Sequence, residues 1–337
     1  MIMKTHTKAK IFTAFIITAV LILIMFFIAI NTGGLNVSIQ QLFRGLFFEY
    51  DETVAIILEL RFPRVIVALL GGALMAVSGV LMQAVMKNPL AAPGIIGITS
   101  GAALASVVVS SFFPFLAQLT PIFSFIGGLI AFAVVYMLAW NGNVSPLRLI
   151  LVGVAVDAFF TGLYQAFSVA TGGSYSGAAS IINSNISLKT WDDVYLLLIY
   201  TAVAAIFCFF IAGRCNLLSL SDVTMHSLGV NVNRVRIVVS VISVLLASIF
   251  TSVIGAVSFL GLIVPHISRL LVGSNHKVLI PYSALLGSFI FLFADTIGRM
   301  IAYPYEISAS IIMAVIGGPM FIILLKRSRS DYGNSNT

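Results

Sequence analysis

Charge is scarce in this sequence: Asp, Glu, Lys and Arg together make up only 9% of its 337 residues. A soluble domain carries about 25% charged residues and about 45–50% apolar ones. Here 60% of the residues are hydrophobic, and the mean hydropathy is +1.12. A soluble fold of this length could not bury so much apolar surface. The composition therefore excludes a soluble protein and predicts one whose solvent is the lipid bilayer.

Signatures of catalysis and of metal binding are missing as well. The sequence has no G-x-x-x-x-G-K-[ST] phosphate loop and no H-E-x-x-H zinc motif, and its four histidines are scattered. Its two cysteines, Cys208 and Cys215, would lie about 10 Å apart along one helix, which is too far for a disulfide. An enzyme acting inside the membrane is therefore a weak alternative. We expect no catalytic residue, no cofactor and no metal ion.

Long apolar runs without alternation, such as residues 11–30, are typical of transmembrane helices. The first run is too long for the core of a signal peptide, so it is interpreted as an uncleaved helix. The eighth run is short and contains Pro265, which predicts a partial or kinked span. We predict an all-α, polytopic membrane protein of about ten transmembrane helices, forming one domain over residues 1–337. The ten predicted spans are residues 11–30, 63–83, 94–113, 119–140, 148–168, 193–213, 236–256, 259–272, 278–298 and 308–325.

Basic residues set the orientation of these spans. With both termini in the cytoplasm, thirteen Lys and Arg residues fall on the cytoplasmic side and five outside, as the positive-inside rule requires. The external five are Arg44, Arg61, Arg64, Lys189 and Arg299. This bias accounts for the net charge of +7 without a nucleic-acid partner. We therefore predict a multi-pass protein with cytoplasmic termini.

The cytoplasmic loop at residues 214–236 is more patterned than a plain linker. Ser221 and Asp222 can cap a short helix, and Gly229 can end that helix in a left-handed turn. A second short helix can begin at Asn231. The first helix would present an apolar stripe that consists of Leu220, Val223 and Leu228.

Six stretches of the sequence, in order, resemble the iron-chelate (FecCD-type) permease family of ABC transporters, which also includes cobalamin and haem permeases. Together they cover roughly residues 55–325. The stretches are LRFPR at 60–64 continuing to 83, NPLAAP at 88–93 continuing to 102, SLGV at 227–230 with Arg236, GAVSFLGLIVPHISR at 255–269, AD at 294–295 with Arg299, and GGPMF at 317–321.

This resemblance implies the permease domain of a type II importer in the bacterial cytoplasmic membrane. Such a permease works beside a second permease subunit, either identical or homologous. Two ABC ATPase subunits supply the energy, so the permease itself is not an enzyme, and an extracellular substrate-binding protein delivers the cargo. A ferric siderophore is the cargo we expect, with haem or cobalamin as alternatives.

The resemblance also assigns roles to particular residues. The arginines that would bind glutamates of the binding protein are Arg61, Arg64 and Arg299. The residues that would couple the permease to the ATPase are Leu220, Ser221, Asp222, Leu228 and Gly229. The residues that would form the translocation path or its gate are Ser145, Pro146, Leu147, Asp157 and Asn183.

This sequence departs from the family pattern at two places. Relatives tend to have a Gly-Glu pair in the coupling loop, where only Asp222 is acidic here. Relatives often have Trp and Gly in a short outer helix, which would span about residues 176–187; here Ile181, Ile182 and Asn183 occupy it. His266 lies in a family motif, and the simplest role for it is structural, at a kink.

An ion-coupled secondary transporter is the main alternative from a different energetic class. It would need intramembrane acids, and the candidates are Asp157 and Asp295. Asp295, however, lies four residues before Arg299 and can pair with it on the same helical face. The scarcity of titratable groups in the spans favours an energy source outside this chain.

Overall fold

The computed structural model describes residues 7–32, 37–48, 50–139, 146–170, 181, 184, 186–302 and 304–333. Every regular element in these residues is a helix. The α-helices are α1 (Lys8–Asn31), α2 (Ile39–Phe47), α3 (Glu52–Leu60), α4 (Phe62–Met86), α5 (Ile98–Phe112), α6 (Thr120–Ala139), α7 (Pro146–Ala170), α8 (Trp191–Leu217), α9 (Asp222–Ser227), α10 (Val232–Ile254), α11 (Leu260–Val272), α12 (His276–Ile301) and α13 (Ala309–Gly333). A 3-10 helix at Pro114–Leu119 joins α5 to α6.

The helices confirm the predicted membrane architecture. Seven stretches of the described chain are long and apolar enough to cross a membrane, and three shorter apolar helices accompany them. These ten lie where the sequence predicts ten spans. The shorter three are α5, α11 and the Ala309–Ile323 part of α13. The short eighth span is α11, which has 13 residues and contains Pro265.

The stretch between the first two spans forms two helices of its own. The Ser38 side chain caps α2 by accepting from the backbone of Gln41, and Asp51 caps α3 by accepting from the backbone of Thr53 and Val54. At Arg61 the backbone keeps α-helical angles between α3 and α4. The second span is therefore preceded by a helix that is almost continuous with it.

Helix α4 is the centre of the molecule, and its neighbours approach it backbone to backbone. A Cβ atom added at Gly79 would lie 1.9 Å from the carbonyl oxygen of Gly261 in α11. A Cβ atom added at Gly72 would lie 2.3 Å from the carbonyl oxygen of Gly287 in α12. Helices in a membrane associate through such close contacts of small residues, because lipid tails give no hydrophobic force between them.

A reciprocal hydrogen-bonded pair joins α4 to α10. The Ser78 hydroxyl donates to the carbonyl oxygen of Ser243 at 2.6 Å, and the Ser243 hydroxyl donates to the carbonyl oxygen of Ser78 at 2.8 Å. Both side chains are fully buried. Most residues of α4 and α10 are thus buried, whereas most residues of α1, α6, α7 and α8 are not.

The loop at residues 214–236 matches its prediction only in part. Helix α9 begins after Ser221, whose side chain accepts from the backbone of Thr224, and Gly229 takes a left-handed φ of +73° behind it. The prediction of a second short helix is wrong. Asn231 caps α10 itself, so the residues that follow it continue without a break into the seventh span.

We expect Gly79→Ala to destabilise the protein by about 1–3 kcal/mol, because the added methyl group meets the backbone of α11 and cannot be relieved by a side-chain rotation. The measurement is the thermal unfolding midpoint of the purified protein in detergent. Gly213→Ala is the matched control, since a Cβ atom there has no neighbour within 4 Å. Equal midpoints for the two variants would contradict the close contact.

Candidate functional site

Two clusters of charged side chains lie at the two ends of α4. Arg64 lies in the first turn of this helix, and Lys87 is the residue that follows its last turn. Their separation of 23 positions corresponds to about 35 Å of helix, slightly more than the hydrocarbon thickness of a bilayer. The clusters therefore belong to opposite faces of the membrane. We call them the Asp295 cluster and the Asp222 cluster.

The Asp295 cluster is built around the ion pair of Arg64 and Asp295. Arg64 Nη2 lies 2.7 Å from Asp295 Oδ1, and Arg64 Nε lies 3.0 Å from Asp295 Oδ2. This bidentate geometry is the strongest that arginine forms with a carboxylate. Arg64 is 6% exposed and Asp295 only 1%. The pair thus joins α4 to α12 inside the protein.

The other two predicted docking arginines hold the end of α1. Arg299 donates to the backbone carbonyl oxygens of Ala29 and Thr32, and Arg61 donates to that of Ile30. Arg299 Nε lies 3.5 Å from Asp295 Oδ2, so the pair expected from their four-residue spacing exists but is longer than the pair of Asp295 with Arg64. All three arginines lie at one end of the molecule, and the docking role remains a prediction.

Glu306 completes the cluster from the loop between α12 and α13. Its carboxylate oxygens lie 2.9 and 3.1 Å from Arg64 Nη1, and it accepts a hydrogen bond from the Ser187 hydroxyl. Burial alone would raise the pKa of Glu306, but the hydrogen bond from Ser187 and the charge of Arg64 outweigh it and lower that pKa. Glu306 is therefore ionised at neutral pH, while its side chain stays 40% exposed.

The Asp222 cluster holds α9 against the ends of two spans. Lys87 Nζ lies 2.9 Å from Asp222 Oδ1 and 2.6 Å from the carbonyl oxygen of Leu220. Arg236 Nη2 lies 3.0 Å from each oxygen of Asp222. The hydrogen bond from Lys87, with the charges of both cations, lowers the pKa of Asp222. One carboxylate thus ties the short helix to α4 and to α10.

Apolar side chains in and beside α9 form an exposed surface that includes two of the predicted coupling residues, Leu220 and Leu228. Leu228 is 60% exposed and Leu220 is 37% exposed, and their neighbour Val223 is 80% exposed. Met225 is the buried anchor on the opposite side of α9. Large apolar side chains in a polar loop are typical of a protein interface, and their role in coupling remains a prediction.

The predicted path residues are only partly described. Ser145 and Asn183 lie outside the described residues, and Pro146 and Leu147 begin α7 with side chains that are not described. Asp157 is half-buried in α7 and lies within hydrogen-bonding reach of Ser100 in α5.

The predicted outer helix also falls mostly outside the described residues. Ile181 is helical, but Ser184 and Ser187 lie in turns, so the helix does not extend to residue 187. In the described part of the chain, no group of three His, Cys, Asp or Glu residues could hold a metal ion.

Sequence reasoning missed three residues of these clusters: Lys87, Ser187 and Glu306. Each lies in a short connection between helices, and each meets a partner more than 100 positions away. The one available signal was the position of Glu306, an acidic residue seven positions after Arg299 on the predicted external side. His266 is half-buried in α11 and has an interaction with its surroundings.

A family model and curated relatives both match nearly the whole chain. The model of the FecCD transport family matches residues 19–327 of this chain. A protein of Staphylococcus aureus (strain Newman) described as "probable heme-iron transport system permease protein IsdF" is 36% identical over 317 residues, which cover 94% of this chain and 96% of the relative. The corresponding protein of strain bovine RF122 / ET3-1 is 37% identical over the same length.

Two solved structures are similar to the fold. One, described as a metal-chelate type ABC transporter in an inward-facing conformation, has a TM-score of 0.77 and 28% identity, covering 94% of this chain and 99% of its own. The other, PsaBC from Streptococcus pneumoniae in complex with Fab, has a TM-score of 0.57 and 16% identity, covering 85% and 95%. The second likeness concerns the fold alone.

Removing the carboxylate of Asp295 should destabilise the protein. We expect Asp295→Asn to lower the free energy of unfolding by about 3–5 kcal/mol, because it leaves two buried guanidinium groups without their shared counter-charge. Thermal unfolding of the purified protein in detergent measures this loss. Glu59→Gln, at an exposed carboxylate of α3, is the control and should change stability by less than about 0.5 kcal/mol. A midpoint for Asp295→Asn that equals the control would show that Asp295 does not hold these charges.

Proposed function

The chain belongs to the FecCD transport family, and from this membership we propose that it is the transmembrane permease subunit of an ATP-driven importer for an iron chelate. The single observation that carries the cargo class is the 36% identity, over 94% of the chain, to relatives described as haem-iron permeases. Haem is accordingly the first cargo to test. A ferric siderophore is the second candidate, because the metal-chelate type transporter of similar fold is described without a named chelate.

The proposed orientation places the Asp222 cluster in the cytoplasm and the Asp295 cluster outside. The positive-inside count supports it, since thirteen of the eighteen Lys and Arg residues then lie inside. Both termini are cytoplasmic in this orientation, and the membrane is the bacterial cytoplasmic membrane.

Two ATPase subunits would dock from the cytoplasm, one on α9 of each permease subunit. The exposed side chains of Val223 and Leu228 supply the apolar contact, and the Asp222 cluster fixes the helix that carries them. Because Asp222 is bound to residues at the ends of both α4 and α10, a displacement of α9 by the ATPase reaches two buried spans at once.

The second permease subunit, identical or homologous, would contact α7. This helix exposes large apolar side chains along its length, including Leu151, Phe159 and Val169. Its other face packs on α5 and on the connection before it. A path between two such subunits would pass Asp157, with the gate residues Ser145, Pro146 and Leu147 at the start of the same helix and Asn183 at the outer mouth.

The substrate-binding protein would dock outside, on the end that carries Arg61, Arg64 and Arg299. Arginine is suited to this because its planar guanidinium binds carboxylates in a fixed geometry. ATP hydrolysis on the partner subunits would then alternate the access of the path between the two membrane faces. The permease performs no chemistry on its cargo.

Disrupting the apolar surface of α9 tests the coupling role. We expect Leu228→Asp to detach the ATPase, because it places a charge in the apolar contact without altering the left-handed turn at Gly229. Co-purification of the ATPase with the tagged permease is the measurement. Leu188→Asp introduces the same charge at the opposite end of the molecule, where Leu188 is 87% exposed, and should retain the ATPase. Normal co-purification of Leu228→Asp would contradict the assignment.

Uptake in cells lacking this gene tests the function itself. We expect the deletion to abolish uptake of radiolabelled iron presented as haem, and uptake by complemented cells to require ATP but not the proton gradient. Iron presented as several ferric siderophores and labelled cobalamin are the parallel arms.

The two energetic classes give opposite results in the same assay. If the deletion abolishes uptake of iron presented as a ferric siderophore and leaves uptake from haem unchanged, the siderophore is the cargo. Uptake that follows the proton gradient and is lost in Asp157→Asn would support the ion-coupled carrier and overturn the importer.

A further inference from the structure

The buried guanidinium of Arg64 binds two carboxylates that differ in their access to solvent. Its Nε and Nη2 atoms bind Asp295, which is 1% exposed. Its Nη1 atom binds Glu306, whose side chain is 40% exposed. Asp295 is thus enclosed within the protein, whereas the Glu306 carboxylate is accessible to solvent.

Glu306 also holds the segment that leads into α8, residues 186–190, which we call the α8 leader. Its carboxylate accepts from the Ser187 hydroxyl, and Ser187 also lies 3.1 Å from Arg64 Nη1. The α8 leader begins within the segment that the sequence places at the outer mouth, about residues 176–187. Ile186, next to Ser187, is 2% exposed, so the leader is seated against the protein.

We propose that Glu306 is an exchangeable carboxylate: a carboxylate of the docked substrate-binding protein replaces it on Nη1 of Arg64, and this exchange releases the α8 leader at the outer mouth. The inference rests on the proposed function, because it takes an acidic binding protein as the partner. It adds to that function a residue of this chain that competes with the partner for the same donor.

The exchange leaves the rest of the cluster in place. Arg64 keeps its bidentate bond with Asp295 throughout, and Arg299 keeps its bonds with the end of α1. One carboxylate replaces another at one nitrogen atom, so the number of ion pairs on Arg64 is unchanged. Ser187 is bound through both Glu306 and Arg64, and the departure of Glu306 removes its charged acceptor. A docking event is thereby converted into the release of a neighbouring segment.

Thiol labelling of the α8 leader tests the release without the partner. Ile186→Cys is introduced into the full transporter in lipid nanodiscs and reacted with a membrane-impermeant maleimide; the native Cys208 and Cys215 are buried. We expect Glu306→Gln to speed labelling at least several-fold, because the amide binds Ser187 and Arg64 more weakly than the carboxylate. Glu59→Gln removes the same charge from the same face and should leave the rate unchanged.

Binding of the substrate-binding protein tests the exchange. We expect Glu306→Gln to raise its affinity for the transporter by about tenfold, since the partner no longer competes for Nη1 of Arg64. Glu59→Gln measures the effect of net charge alone and should give a much smaller rise. The gain should disappear when Glu306→Gln is introduced beside Arg64→Lys and compared with Arg64→Lys alone, because lysine keeps a positive charge next to the buried Asp295 but lacks the second nitrogen that Glu306 binds.

The outcomes separate the inference from the function on which it rests. A wild-type transporter that binds no substrate-binding protein overturns the proposed function, and the exchange falls with it. A wild-type transporter that binds normally, with affinity unchanged or lowered in Glu306→Gln, overturns the exchange alone. Equal labelling rates in Glu306→Gln and Glu59→Gln overturn the release of the α8 leader, provided that all variants unfold at similar temperatures.

Discussion

The direct contact of the α4 backbone with α11 and α12 is the constraint on which the rest of the structure depends. A bilayer gives no hydrophobic force between helices, so their association needs close packing and internal hydrogen bonds. Gly79 and Gly72 allow that packing, and the reciprocal bonds of Ser78 and Ser243 add α10 to the same unit. The result is a closely packed group of four helices, α4, α10, α11 and α12, with the more exposed helices around it. The same group carries one charged cluster at each end of α4, about 35 Å apart.

Each cluster uses its charges to join segments that are distant in the chain. At one end, Asp295 is 231 positions from Arg64, and the pair fastens α12 to the start of α4. At the other, Asp222 is 135 positions from Lys87 and fastens α9 to the end of α4. Burial makes unpaired charges costly, and this explains why the 1%-exposed Asp295 faces two arginines. The ion pairs of Asp222 are more exposed and add little stability, since exposed ion pairs are worth about 0–1 kcal/mol. Their main effect is to position α9 against the ends of α4 and α10.

The sequence was a good guide to what depends on local chemistry. The spans followed from apolar length, the cap at Ser221 from its hydroxyl, and the turn at Gly229 from its freedom at positive φ. It was a poor guide to the clusters. The spacing of Asp295 and Arg299 suggested a local ion pair, but the shorter bond to Asp295 comes from Arg64, which lies on another helix. The error at Asn231 has a similar origin. A capping side chain marks where a helix begins and says nothing of its length, and the apolar residues that decide the length here are those of the seventh span.

The ion pairs that hold α9 determine which segments must be exchanged together when such a permease is re-engineered. The loop at residues 214–236 carries the exposed surface and two of its own anchors, Asp222 and Arg236. Its third anchor, Lys87, comes from the connection that follows α4 and would stay behind if the loop were transplanted. A chimaera that exchanged the loop alone would carry the exposed surface of the donor on a helix that is fastened at one side only. The smallest unit that can be transplanted with this surface is therefore discontinuous, because two separate segments of the chain must be exchanged together.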